Sequence, residues 1–382
     1  MGRPALPGLV ASSLLASGLV SCGQEAPGPS RCDAPRDAIV AMSDYSSSGI
    51  SALTLAGARP DARFGVDLGK DPQLSLSRGR LFFVARDKDL LFELDPACGA
   101  PIAKVSVHDE TARANQNPQD VAVAPDGSLW VPRFSDGTLL IISPTGARRT
   151  LSLAAHDADG NPQPNAIRIV DGPGGSRAFV ALERLDDRDG LRSNQPSQLL
   201  EIDVDTLAEV AVHPLVGKNP FNRIQESGGA LWLAAPGSFD ASGELLAGIE
   251  RFDLASRTSA LRVREADLGG SVVEIAIREG CGVAIVANAR PNVNATSLVT
   301  FDPATGKVLA PAASPVFGPT EGYDLQGLAW VGDVLLLGDR RPGPRGGYPV
   351  RAFKMRAGCA FDPLPEATQE LPQKPVSIRP RH

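Results

Sequence analysis

Pro118-Gln-Asp-Val-Ala-Val-Ala-Pro-Asp-Gly127-Ser-Leu-Trp-Val131 is the stretch whose reading decides the fold. A short apolar strand runs into Pro125-Asp126-Gly127. Proline presets φ there, aspartate bonds its own backbone, and glycine accepts a positive φ, so the chain turns tightly. A second apolar run then leaves the turn at Leu129. Strand, tight turn and strand make a hairpin.

The second half of that hairpin recurs along the chain. Ala38-Ile-Val-Ala-Met42, Leu81-Phe-Phe-Val-Ala85, Leu129-Trp-Val-Pro132 and Ala178-Phe-Val-Ala-Leu182 come first, followed by Leu231-Trp-Leu-Ala-Ala235, Gly282-Val-Ala-Ile-Val286 and Val334-Leu-Leu-Leu337. Their starts lie 43, 48, 49, 53, 51 and 52 residues apart. Each run is followed by a further strand and turn, clearest at Leu90–Gly99, Thr138–Gly146 and Ser297–Gly306, where Asp or Ser precedes Pro and a Gly closes the turn. No helix-length segment of 3.6-residue periodicity intervenes. A fixed period of this length, with four short strands in each unit, predicts an all-β, seven-bladed β-propeller of four-stranded antiparallel blades. The 39 glycines and 33 prolines suit that many turns.

The segment 117–146 resembles the YVTN and NHL types of propeller repeat, and the resemblance extends over residues 37 to about 360. It implies the fold and is nearly silent on activity. The first unit opens on a second-type strand with no first strand before it, and an open ring would expose a sheet edge. Pro375-Val-Ser-Ile-Arg379 is the unassigned strand candidate, and it is expected to close the ring by pairing with blade one. The propeller domain is accordingly placed at 37–382.

The chain start carries an address. After Arg3, residues 4–21 hold no charged side chain, the pattern of a secretory signal peptide. Leu19-Val20-Ser21-Cys22 resembles the lipobox of bacterial lipoproteins, which implies cleavage after residue 21 and acylation of Cys22. Residues 22–36, rich in Pro and Gly, read as a flexible tether. Gly23 stands where an inner-membrane retention signal would place Asp. The resemblance thus implies a lipid-anchored protein of the cell envelope, on the outer membrane, facing the periplasm or the cell surface.

Four cysteines remain after Cys22: Cys32, Cys98, Cys281 and Cys359. An even set in an exported chain reads as two disulfides with three possible pairings. In a propeller register all four fall on one rim, and neighbouring blades then suggest Cys32–Cys98 and Cys281–Cys359. Blades two and six are too far apart for the Cα separation a disulfide allows, ~4.4–6.8 Å.

The opposite rim carries long polar loops: 107–117, 153–165, 183–198, 235–248, 287–297, 313–323 and 338–349. Loops on a rigid scaffold are where binding residues concentrate. The candidate channel-rim residues are Asp44, Arg86, Asp120, Arg133, Arg184, Asn219, Asn288 and Asp339. Asn117-Pro118, Asn161-Pro162 and Asn219-Pro220 recur before successive blades. They are read as architectural, with the residue before proline expected in extended backbone.

No cofactor motif is present: there is no Cys-x-x-Cys-His, His-Glu-x-x-His, phosphate loop or nucleophile elbow. The metal candidate is calcium at Asp157, Asp159 and Asn161, whose oxygens fall at positions one, three and five, as at the start of an EF-hand loop. Pro162 and Arg168 break the remainder of that pattern. His108, His156 and His213 lie near the ends of outer strands, where zinc binding would require them to converge. A net charge of −6 without a basic block excludes nucleic acid as a partner class.

These readings converge on a membrane-tethered binding or scaffold module for an envelope protein or polymer. The alternative is a metal-dependent propeller enzyme of lactonase or streptogramin-lyase type, with Asn165, Asn219 and Asp339 considered as ligands over the channel.

Overall fold

The computed structural model describes residues 32, 34–57, 60–65, 68–238, 245–288 and 294–381, with the side chain of Asn288 outside that set. The segment expected to be a signal peptide, Cys22 and most of the expected tether therefore lie outside the described residues.

Seven antiparallel sheets stand in a ring. Each has an innermost strand lining the central channel: Pro72–Ser77, Ala122–Val123, Pro164–Gly172, Phe221–Ser227, Gly270–Arg278 and Leu325–Val331 for blades two to seven. Blade one takes its inner strand, Pro375–Pro380, from the far end of the chain, and Ala38↔Pro380 to Met42↔Pro375 close the ring. The second strands of blades one to seven are Ala38–Ser43, Arg80–Ala85, Leu129–Arg133, Gly175–Leu182, Ala230–Ala235, Cys281–Asn288 and Val334–Asp339. These are the recurring apolar runs.

Their composition follows from where they sit. Ala38, Val40 and Met42 pack against blade seven, whereas Ile39 and Ala41 pack against blade two. Successive side chains point to opposite faces of a strand, and here both faces are covered by neighbouring blades. The run must therefore be apolar throughout rather than alternating. Seven apolar clusters result, one at each interface between blades.

Both expected disulfides are present. Cys32–Cys98 spans 66 residues and Cys281–Cys359 spans 78, each joining neighbouring blades on the rim of tight turns. This rim is called the turn rim below, and the opposite one the loop rim.

Two local expectations need correction. The inner strand of blade three is shorter than its sequence suggests: only Ala122–Val123 form regular pairs, and Pro118 makes an isolated bridge to Arg133. Pro118 has no N–H to donate. Asn117 and Asn219 do not adopt extended backbone before their prolines; both have left-handed φ values, 52° and 56°. Asparagine tolerates that region better than most residues, and there the chain reverses sharply into the next blade.

Candidate functional site

A propeller's channel is walled by inner-strand side chains, and in this chain they are largely polar. Gln73, Ser75 and Ser77 alternate along blade two, and Ser377 and Arg379 along blade one. Their apolar alternates, such as Leu74, Val376 and Ile378, turn into the blade interfaces. Inner strands are sheet edges with unpaired N–H groups, which need acceptors when buried. Polar side chains of adjacent blades supply them. Ser377 Oγ accepts from Leu74 N at 3.2 Å, Ser77 Oγ from Val123 N at 2.9 Å, Asp120 from Ile167 N at 3.2 Å and Gln225 Oε1 from Ile277 N at 2.9 Å. Glu274 accepts from Gly327 N at 2.8 Å and Leu328 N at 3.1 Å.

The channel widens into two spaces. Under the loop rim a cavity of about 50 Å³ is lined by Tyr45, Gln73, Arg86, Gln119, Asn165 and Asn222, among others. Arg86 pairs with Asp71 and donates to Gln119 at 2.8 Å. Gln73 Nε2 reaches Asn222 Oδ1 across the channel at 3.4 Å. Behind Asn165 lies Glu183, which accepts its amide; burial pushes the Glu183 carboxyl up to about 8.

Under the turn rim the space is larger, about 240 Å³. Asp120, Arg223 and Arg379 line it, with Ser75, Ser77 and the exposed Arg168–Glu226 pair (2.9 Å) at its edge. Leu76, Ile224, Ala276, Leu328 and Ala329 add apolar wall. Arg223 pairs with Glu274 at 3.3 Å and donates to Leu328 O at 2.8 Å. Burial raises the Asp120 carboxyl above its ordinary value against the hydrogen bond from Ser75. It also lowers Arg379, and the neighbouring Arg223 lowers it further.

Of the eight rim residues read from the sequence, Arg86 and Asp120 line the channel, at opposite mouths. The others are held locally. Asp44 is exposed and caps its own loop, accepting from Ser46 Oγ at 2.7 Å, Ser47 N at 2.8 Å and Ser46 N at 2.9 Å, which pulls its carboxyl below the usual range. Arg133 is buried against Thr138 and Gln116. Arg184 spans its loop to Pro196 O and Gln195, and Asn219 donates to Gly237 O at 2.9 Å. Asp339 is gripped by Arg341 at 2.9 Å and Arg351 at 2.7 Å. Asn288 ends its strand, with its side chain outside the described residues.

At the calcium candidate, Asp157 faces Arg184 (3.4 Å) and Gln195 (3.0 Å). Asp159 accepts from Asn161 N at 3.0 Å, and Asn161 donates to Asp187 at 3.1 Å. The loop is thus cross-linked by its own polar groups. Each of the three histidines pairs with a separate carboxylate: His108 with Asp89, His156 with Glu209 and His213 with Glu201.

Arg223, Glu274, Arg379 and Glu183 were missed as site residues in the sequence. The signal for Arg379 was there: a polar residue at every second position of an inner strand points into the channel. Arg223 and Glu274 lie beside register shifts, which hide the alternation.

The loop rim also carries exposed apolar side chains. Of ten large exposed hydrophobic residues among those described, six lie in its loops: Tyr45, Leu191, Val216, Leu245, Leu246 and Tyr323.

No family model matches the chain, and no curated protein matches it. Solved structures share the fold. A streptogramin B lyase is 14% identical, with TM-score 0.53, over 81% of this chain and 86% of the lyase. A putative 6-phosphogluconolactonase from Bacteroides uniformis is 13% identical, with TM-score 0.57, over 91% and 100%. The WD40 repeats of RRP9 are 13% identical, with TM-score 0.56, over 91% and 88%. At such identity the likeness is one of fold: lyase, lactonase-like protein and WD40 repeats share one architecture with this chain.

Proposed function

We propose that this chain is a membrane-tethered β-propeller of the bacterial cell envelope that binds or scaffolds a protein or polymer partner on its loop rim. The observation that carries the reading is the placing of exposed apolar side chains: Tyr45, Leu191, Val216, Leu245, Leu246 and Tyr323 all lie on loops of one rim. Exposed apolar groups rimmed by polar residues mark interaction surfaces.

The tether supports the same face. Cys32 is bonded to Cys98 on the turn rim, so a lipid at Cys22 would root the disc there and leave the loop rim free. Two disulfides accord with an oxidising compartment outside the cytoplasm.

The test is capture from native envelopes with the wild-type chain beside a Tyr45→Ser, Leu191→Ser, Leu245→Ser variant. The reading expects a partner retained by the wild type and lost by the variant at unchanged unfolding midpoint. Equal capture by both would overturn it. A second arm is globomycin treatment or Cys22→Ala, expected to release the protein from the membrane fraction.

The enzyme alternative rests on shared fold, and fold does not supply function. Of the three ligands considered for it, Asn165 lines the channel, while Asn219 and Asp339 are engaged within their own loops.

A further inference from the structure

We propose that the channel cavity under the turn rim is a binding site for the carboxylate of a small organic acid, held between the guanidinium groups of Arg379 and Arg223. The site lies on the face opposite the loop rim, so it stands or falls independently of the partner reading above.

Charge bookkeeping around the cavity singles out one group. Arg168 is matched by Glu226, and Arg223 by Glu274. Both Glu274 oxygens also accept main-chain N–H groups of blade seven. Asp120 is committed to Ser75, Val121 N and Ile167 N. Arg379 is in no ion pair among the described residues. It is only 4% exposed, and its one protein hydrogen bond runs from Nη1 to its own Ile378 O at 2.7 Å. A buried guanidinium without a carboxylate is costly, and this one also faces the like charge of Arg223. Both arginines line an open space of about 240 Å³, and Arg379 brings to it N–H groups that no protein atom among the described residues accepts.

An oxyanion between them would accept those N–H groups and relieve the repulsion. A guanidinium offers a planar fork that fits a carboxylate in bidentate fashion. Asp120 and Glu274 nearby would repel a dianion such as phosphate more strongly than a monoanion, and Arg379 is the one guanidinium lining the cavity that has no ion pair among the described residues. Leu76, Ile224, Ala276 and Ala329 border the space as well, so its lining is part polar and part apolar, as in other small-molecule sites.

The test is calorimetric titration of the full, oxidised chain with benzoate, benzamide and inorganic phosphate at matched ionic strength. Saturable benzoate binding, at least tenfold tighter than that of benzamide or phosphate, is expected. Arg379→Met should weaken benzoate by tenfold or more. Should that variant fail to fold, Arg379→Lys keeps the charge, loses the fork and should still weaken it. Equal binding of benzamide would make the site merely apolar, and tighter phosphate would refute the monoanion assignment. Absence of saturation, or undiminished binding in both variants, would overturn the site.

Discussion

Asp120 and Ile167 belong to different blades, yet the carboxylate of Asp120 accepts the main-chain N–H of Ile167 at 3.2 Å while its other oxygen takes the Ser75 hydroxyl. One side chain thus ties the inner strands of blades two, three and four. Asp120→Ala leaves a buried N–H and a buried hydroxyl without an acceptor, and each such group costs about 1–3 kcal/mol. A loss of about 2–4 kcal/mol is expected in urea unfolding. Asp120→Asn keeps an acceptor oxygen and should lose clearly less.

Glu183 makes stability depend on pH. Burial raises its carboxyl from 4.5 to about 8 in the folded state. A raised acid stabilises the fold below the unfolded value and loses that contribution as pH climbs to the folded one. Between pH 4.5 and 8 the unfolded chain binds one proton fewer, so stability should fall by about 1.4 kcal/mol per pH unit from this group. Glu183→Gln should remove that component, seen as a flatter dependence of unfolding free energy between pH 5 and 8. Equal slopes in the two proteins would refute it.

Asp339 works in the opposite sense. Fully buried and bonded to Arg341 and Arg351, its carboxyl sits below its ordinary value despite the burial. Its contribution is complete above the unfolded value of 3.8 and lost as pH falls through the lower folded one. Asp339→Asn should cost about 3 kcal/mol at neutral pH, the range for breaking a buried pair. The deficit against wild type should narrow below pH 4.

The two disulfides close loops of 66 and 78 residues. Loop-closure entropy assigns each about 4 kcal/mol. Cys281→Ser with Cys359→Ser should therefore lower the guanidinium midpoint, and thiol reductant should lower that of the wild type further than that of the variant.

Ring closure depends on Ile378, fully buried in the cluster between blades seven and one. Ile378→Ala should cost about 2–5 kcal/mol, the usual range for such a truncation. Deleting residues 374–382 should do more: it bares the inner edge of blade one, so proteolysis should begin in the segment 38–64. A deletion that left protease resistance unchanged would refute the closure role.

Much of the fold was legible in the amino-acid order. The repeated apolar runs, the Pro-Gly turns and the missing first strand named the ring, its seven units and the closing role of 375–379, because each is a local property read at fixed spacing. The pairing of the four cysteines followed from the same register. The channel was less legible. Asp44, Arg133, Arg184, Asn219 and Asp339 are polar residues in the loops where ligands are usually met, and each is spent on a neighbour a few residues away or across its own hairpin. Sequence places a residue on a loop; it does not show whether that residue's bonds are already used.

The sequence by itself determined the blades, because strand and turn are decided by neighbours along the chain. Only the tertiary structure decided the cavity beneath the turn rim. Arg223 and Arg379 lie 156 positions apart, and nothing local brings them together. Closing the ring does, by setting Pro375–Pro380 in the same ring of inner strands that carries Arg223.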